Sequence, residues 1–289
     1  MVKFIKFTVN SIFLLFLILV ILDVTYTFVK INSSPRNKID LIINSKNENY
    51  DIVILGSSRA ENHIVPEIFS KKGYKTFNFG MSGALLEENV LQLKLMLENN
   101  YKIKNIILQT DVNVYSTNYS AGTRALFMPY IHYKKSIQNQ YKDVGEINKL
   151  LYIPFYRYIS FEAKIGFREF FFSGLNKKTT FRENDGFDGL DGTKPNLSSP
   201  KSVHLFKKNK AYEEIKKICK KNGINLISIT TPICGNNTNY FKSILKFYPE
   251  IKNYSSVIQD DKYFASCGHM NKYGAVLFTT SIVDSISIK

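Results

Sequence analysis

The sequence predicts an α/β fold: a three-layer α/β/α domain on a parallel sheet of about five strands, behind one N-terminal transmembrane helix. Three observations carry this. From residue 50 onward, short apolar runs alternate with longer stretches of helical periodicity, the pattern of parallel strands joined by crossover helices. The first run, residues 52–55, reads Ile-Val-Ile-Leu and is apolar throughout, as a strand covered on both faces requires. Near the N-terminus, residues 12–22 are apolar without a break.

Phe7, Val9, Val24 and Phe28 extend that N-terminal run, which only small polar groups and Asp23 interrupt. Residues 1–28 thus have roughly the length needed to cross a bilayer. Lys3 and Lys6 ahead of the run favour a cytoplasmic N-terminus, whereas Lys30, Arg36 and Lys38 behind it weigh against that orientation. No small-x-small cleavage site follows, which favours an uncleaved single-pass anchor over a removed signal peptide. The main domain is extracytoplasmic in both cases. A buried core helix fits poorly, because the run is terminal and apolar all round. Residues 29–48 read as a linker on the turn-forming Asn32-Ser33-Ser34-Pro35-Arg36-Asn37. An apolar patch at residues 41–43 fits no element.

The main domain is expected over residues 49–289. Strand one is residues 52–55, followed by a short helix at 66–72 and strand two at 76–79. Residues 84–99 read as a helix, because Leu86, Val90, Leu93 and Leu97 recur at steps of four, three and four. Strand three is residues 106–108. Residues 115–205 are rich in aromatics without regular alternation and read as an insertion or lid. Alternation resumes with a basic helix at 209–222, ended by Gly223, then strand four at 224–229. A helix at 240–247, a short fifth strand at 257–258 and a last helix at 271–286 complete the domain.

The formal net charge of +15 is spread as scattered lysines, and no arginine-rich helix, zinc spacing or RNP-type motif occurs, so nucleic acid is not an expected partner. Attraction to anionic lipid or acidic polysaccharide is compatible with that charge. Cys219, Cys234 and Cys267 form no metal spacing, and neither metal nor cofactor is expected. Buried free thiols are the default; Cys234 and Cys267 are the pair that could meet.

The chemistry concentrates in two segments. Gly56-Ser57-Ser58-Arg59 follows strand one, where the carboxyl edge of an open α/β sheet places ligands. A serine there becomes a nucleophile only if a base takes its proton. Gly268-His269 precedes the last helix and supplies the candidate base. Together these segments resemble the SGNH (GDSL-type) hydrolase superfamily, whose fold is flavodoxin-like. The resemblance covers residues 51–113 and 206–286. It implies Ser58 as nucleophile and His269 as base. It also implies an oxyanion hole from the Ser58 backbone N–H, a glycine after strand two and an asparagine amide after strand three.

Gly80, in Asn78-Phe79-Gly80-Met81-Ser82-Gly83, is the glycine candidate; otherwise it is a glycine that a turn requires. Asn113 is the amide candidate, although Gln109-Thr110-Asp111-Val112-Asn113 departs from the family's Gly-x-Asn-Asp and Asn113 also reads as a turn residue. Ser266 stands where the family carries the carboxylate that orients the histidine. Three explanations compete. Asp261 or Asp260 reaches the ring, or a backbone carbonyl orients it, or the site is impaired and the fold serves binding. Arg59 is placed at the mouth of the cleft, to bind an anionic sugar or carboxylate or else to form a structural ion pair. His63, His132 and His204 read as structural or solvated, although His63 follows Ser58 closely enough to sit near the cleft. The expected protein is a membrane-anchored serine esterase or O-acyltransferase acting on an acylated cell-surface glycan. The alternative is a catalytically impaired relative that binds or helps assemble such a glycan.

Overall fold

In a computed structural model of the chain, which describes residues 1–193, 207–234 and 241–289, the apolar N-terminal run becomes α1, the 31-residue helix Val2–Asn32. His204 and Tyr240 lie outside the described residues. Helix α1 is long and apolar enough to cross a membrane, a test that a signal sequence near an N-terminus also passes. The described residues fall into two compact units.

The first unit comprises Met1–Asn44 and Arg124–Thr179. The C-terminal third of α1 is one of its core elements. Asp23 accepts from Arg157 at 2.7 Å, Thr27 pairs with the Tyr158 hydroxyl at 2.7 Å, and Lys30 donates to Asp40 at 2.7 Å. Residues 29–48 are therefore not a linker. Helix α1 runs to Asn32, and a second helix, α2, spans Lys38–Asn44. Asn37, which reads as a loop residue, caps α2 by accepting from the N–H groups of Ile39 and Asp40 at 2.9 and 3.0 Å. The apolar patch at residues 41–43 then has a place, since Ile39, Leu41 and Ile42 are buried on α2. Residues 124–179 are a run of short helices with no strand among them.

The second unit, Ser45–Thr123 with Thr180–Lys289, carries the sheet. Strands β1 (Asn49–Leu55), β2 (Thr76–Asn78), β3 (Lys102–Gln109) and β4 (Asn225–Ile229) are all parallel, in the order β2-β1-β3-β4. Central β1 faces Asn78 and Ile107 through Ile54, and residues 52–55 are fully buried, which explains why no polar residue interrupts them. Helices α3 (Ser58–His63) and α4 (Pro66–Ser70) follow β1, and α5 (Leu86–Glu98) follows β2.

On one face Ile52, Ile54, Ile107, Ile227 and Ile229 pack with Ala60, Phe69 and the C-terminal helix Lys272–Ile282 through Phe278 and Ile282. Successive strand residues point to opposite faces. On the other face Ser228 accordingly meets Tyr212 of the helix Lys210–Lys221 at 2.9 Å, and that helix packs on α5. These are the three layers. The sheet has four strands rather than about five. Residues 257–258 form none; the edge beside β4 is taken by Lys252, in a single parallel bridge to Ile229. A small antiparallel hairpin, β5 (Phe264–Ser266) and β6 (His269–Met270), leads into the C-terminal helix.

Candidate active site

Strand β1 ends in a turn that only glycine makes comfortably. Gly56 has φ +146°, and a Cβ there would meet Gln109 Oε1 at 2.7 Å. Ser57 then caps α3 through its hydroxyl and donates N–H and O–H to Gln109 Oε1, both at 2.8 Å. This fixes the next residue, Ser58, as the half-buried first residue of α3 at the carboxyl edge of the sheet. Its Oγ lies 2.8 Å from His269 Nε2, across 211 residues of sequence. The two segments singled out by sequence meet in hydrogen-bonding geometry.

His269 is held on three sides. Its Nδ1 lies 3.3 Å from Ser266 Oγ. Arg59 Nη1 donates to the carbonyl of Gly268, the preceding residue, at 2.5 Å. His63 Nε2 accepts the N–H of Met270, the following residue, at 3.0 Å. Helix α3 therefore carries Ser58 and also grips both peptide groups that flank His269. Burial, then the Arg59 guanidinium, push the His269 pKa below its ordinary value, with Asp111 opposing. The shift favours the neutral ring, the form that a general base needs.

Behind the clamp lies a buried polar chain. Because His63 Nε2 accepts a backbone N–H, the proton of the neutral ring is on Nδ1, which meets Thr231 Oγ1 at 3.0 Å. Thr231 Oγ1 donates to Asp111 Oδ2 at 3.1 Å, and Asp111 Oδ2 pairs with Arg59 Nε at 3.1 Å. The remaining Arg59 donors reach the carbonyls of Thr231 and Pro232 at 2.8 and 3.0 Å. Burial, then the charges of Arg59 and His269, hold the His63 pKa well below its ordinary value.

Several expectations are corrected here. Arg59 is 3% exposed and spends its guanidinium on Asp111 and three carbonyls, so it is an internal tie and not a ligand at the mouth of the cleft. Asn113 does not present its amide to Ser58. It donates to the Gln109 carbonyl at 2.9 Å and accepts from the Asp111 N–H at 3.1 Å, closing the 3₁₀ turn Val112–Tyr115. Gly80 donates its N–H to Asn78 Oδ1 at 2.9 Å, so this donor is already engaged. It must be glycine because a Cβ would stand 2.7 Å from Glu61 N and Ala60 Cβ of α3, a requirement of close approach and not of positive φ. Asp261 opens the 3₁₀ turn Asp261–Tyr263, and no hydrogen bond joins it to His269 among the described residues; Ser266 faces Nδ1 instead. Cys234 and Cys267 are not free thiols but a disulfide, since the end of β4 and the His269 hairpin lie side by side. Cys219 is free and buried. Among the described residues no cluster of His, Cys, Asp or Glu is placed to hold a metal.

Reading by sequence missed the roles of His63, Gln109 and Thr231. The available signal was position alone: His63 sits five residues after Ser58, Gln109 ends β3, and Thr231 follows the end of β4 by two residues at the same sheet edge.

No protein-family model and no curated protein matches the chain. Among solved structures it is similar to one from Streptococcus pneumonia provisionally described as a platelet activating factor, with 12% identity and a TM-score of 0.30 over 97% of this chain and 98% of that one.

Proposed function

We propose that the chain is a membrane-anchored serine esterase or O-acyltransferase of the SGNH type, working through an acyl–Ser58 intermediate on an acylated cell-surface glycan. The observation that carries it is the 2.8 Å approach of Ser58 Oγ to Nε2 of His269. In this reading Ser58 Oγ attacks the ester carbonyl while its proton passes to His269 Nε2. The resulting imidazolium returns that proton to the leaving alkoxide as the carbon–oxygen bond breaks. Water or a sugar hydroxyl, deprotonated by the same nitrogen, then takes the acyl group from Ser58, and the imidazolium returns that proton to Ser58 Oγ as its bond to the acyl carbon breaks. Such general acid–base work contributes about 10²–10⁴ in rate.

The developing oxyanion needs donors that nothing else occupies. The Ser58 N–H, in the first turn of α3, has no hydrogen-bond partner among the described residues. With Gly80 engaged, Gly83 on the same loop is the second candidate, being exposed with an N–H that none of the described residues accepts. Ser266 can accept the Nδ1 proton and fix the tautomer, but a hydroxyl carries no charge to stabilise the imidazolium. In the clamp, Arg59 and His63 take over orientation, and the charge of Asp111 is what favours the imidazolium. The glycan assignment rests on placement outside the cytoplasm behind α1.

A second reading keeps the fold for glycan binding or assembly without turnover. The neutral Ser266 at Nδ1 and the inward-turned Gly80 N–H favour it. Hydrolysis of short-chain nitrophenyl esters by the full chain separates the two. Turnover lost in Ser58→Ala supports the enzyme, and wild type no faster than Ser58→Ala contradicts it.

A further inference from the structure

The structure assigns a second membrane-contacting element to the first unit: we infer that an apolar patch on residues 152–175 sits in the headgroup–acyl boundary of an anionic bilayer, beside α1. This rests on α1 crossing that bilayer and is independent of the Ser58 chemistry.

Depth along α1 supplies the first argument. Lys6 and Asp23 are successive charges on the helix, separated by seventeen residues or about 25 Å at the helical rise. That is close to the hydrocarbon thickness of roughly 30 Å, so the boundary on the domain side falls near Asp23. Yet the unit begins to cover α1 at Leu19 and Val20, whereas Ile18 and the residues before it are exposed. Leu19 and Val20 lie about 5 Å inside that boundary. Whatever covers them enters the membrane with them.

The surface itself supplies the second. The helix Phe167–Gly174 packs along α1, with Phe170 stacked on Tyr26 at 4.1 Å between ring centres and Gly174 close to Val29. Phe167, Phe171 and Leu175 follow one another at steps of four and are 64%, 51% and 64% exposed. Tyr152, Ile153 and Ile159 of the same unit are also exposed. Alongside, α1 leaves Val24 and Phe28 uncovered. Bare apolar residues thus occur both on α1 and on the helix packed against it, which is the pattern of an interfacial element. Where the patch ends, the cations begin: Arg168 and Lys177 lie over the Phe172 ring at 5.5 and 4.2 Å, while Arg36 beside them is tied to Glu169 at 2.9 Å and is not part of the rim. A basic rim at that level suits anionic headgroups.

The chain contains no tryptophan, so a single substitution gives an unambiguous fluorophore. Phe16→Trp, in the middle of α1, and Phe171→Trp would each be made in the full chain and reconstituted into phosphatidylglycerol-containing vesicles, with and without brominated acyl chains. The expected result is quenching of both. Phe171→Trp should lose at least about twofold in emission with bromine near the headgroup end, as for a ring at the headgroup–acyl boundary, and less with bromine near the methyl end. Phe16→Trp quenched and Phe171→Trp unaffected would overturn the patch alone. Neither quenched would overturn the spanning premise beneath it. A blue-shifted Phe171→Trp emission that ignores bromine but rises with protein density would assign the patch to a second copy of the chain, and would also overturn the proposal.

Discussion

His63 accepts the backbone N–H of Met270 at 3.0 Å, and so fixes the peptide next to His269 from within the helix that begins with Ser58. His63→Ala leaves that buried N–H without its acceptor, while the Thr231 hydroxyl keeps its bond to Asp111. A loss of about 1–3 kcal/mol per unsatisfied group is expected, read as a lower urea midpoint. His63→Gln keeps an acceptor within reach and should recover part of both stability and esterase activity. Equal losses in the two variants would remove His63 from the positioning role.

The same ring makes stability fall in mild acid. The folded-state pKa of His63 is held well below its unfolded value of 6.5, so between those two values the unfolded chain binds more protons. The neutral ring's contribution is complete above about pH 6.5 and is lost as pH falls towards the folded pKa, at up to about 1.4 kcal/mol per pH unit. His269 is shifted the same way and, being half-buried, contributes less. Burial raises Glu87 and Glu88 to about 7, and their protonation stabilises the fold over the same interval, so the His63 contribution is read as a difference: between pH 7.5 and 5 the wild-type urea midpoint should fall relative to that of His63→Gln, and a constant difference would contradict it.

Arg59 and Asp111 are 3% and 0% exposed as side chains and face each other at 3.1 Å. Removing the cation strands a buried carboxylate, so Arg59→Met should destabilise the fold by about 3–5 kcal/mol. Arg59→Lys should restore little, since one ammonium cannot reach Asp111 and the three carbonyls together. Thermal unfolding of the three proteins compares them directly.

Ser266→Asp places a carboxylate at the position that the resemblance implies. It should raise the His269 pKa, stabilise the imidazolium and increase ester turnover, by up to about 10⁴ if the geometry permits full recovery. The acid limb of the pH–rate profile should move to higher pH with it. An unchanged rate and profile would mean that the ring does not use this position.

The Cys234–Cys267 disulfide closes a span of 33 residues next to His269. By loop entropy it stabilises the fold by about 3–4 kcal/mol. Cys234→Ser, or reduction of the wild type, should lower the melting temperature, while Cys219→Ser should leave the redox response unchanged.

What could be read from sequence follows from range of interaction. Residues 52–55 announce a buried strand because burial on both faces leaves no polar position, and Gly56 marks the turn because nothing larger fits against Gln109. Ser58 and His269 were legible because each lies at a fixed offset from its element. Arg59 misled, since its sequence neighbours do not show that Asp111, Thr231 and Gly268 converge on it from three other segments. Asn37 misled differently, because the same side chain serves a linker turn or a helix cap. Gly80 was recognised as a required glycine, but the requirement is the approach of α3, which only the folded chain reveals.

The most direct measurement is reaction of the full chain with a fluorophosphonate probe, followed by peptide mass mapping. The account predicts one adduct, on Ser58, that is absent in Ser58→Ala and strongly slowed in His269→Ala. A folded wild-type protein that takes up no probe, or takes it up equally in Ser58→Ala, would contradict it.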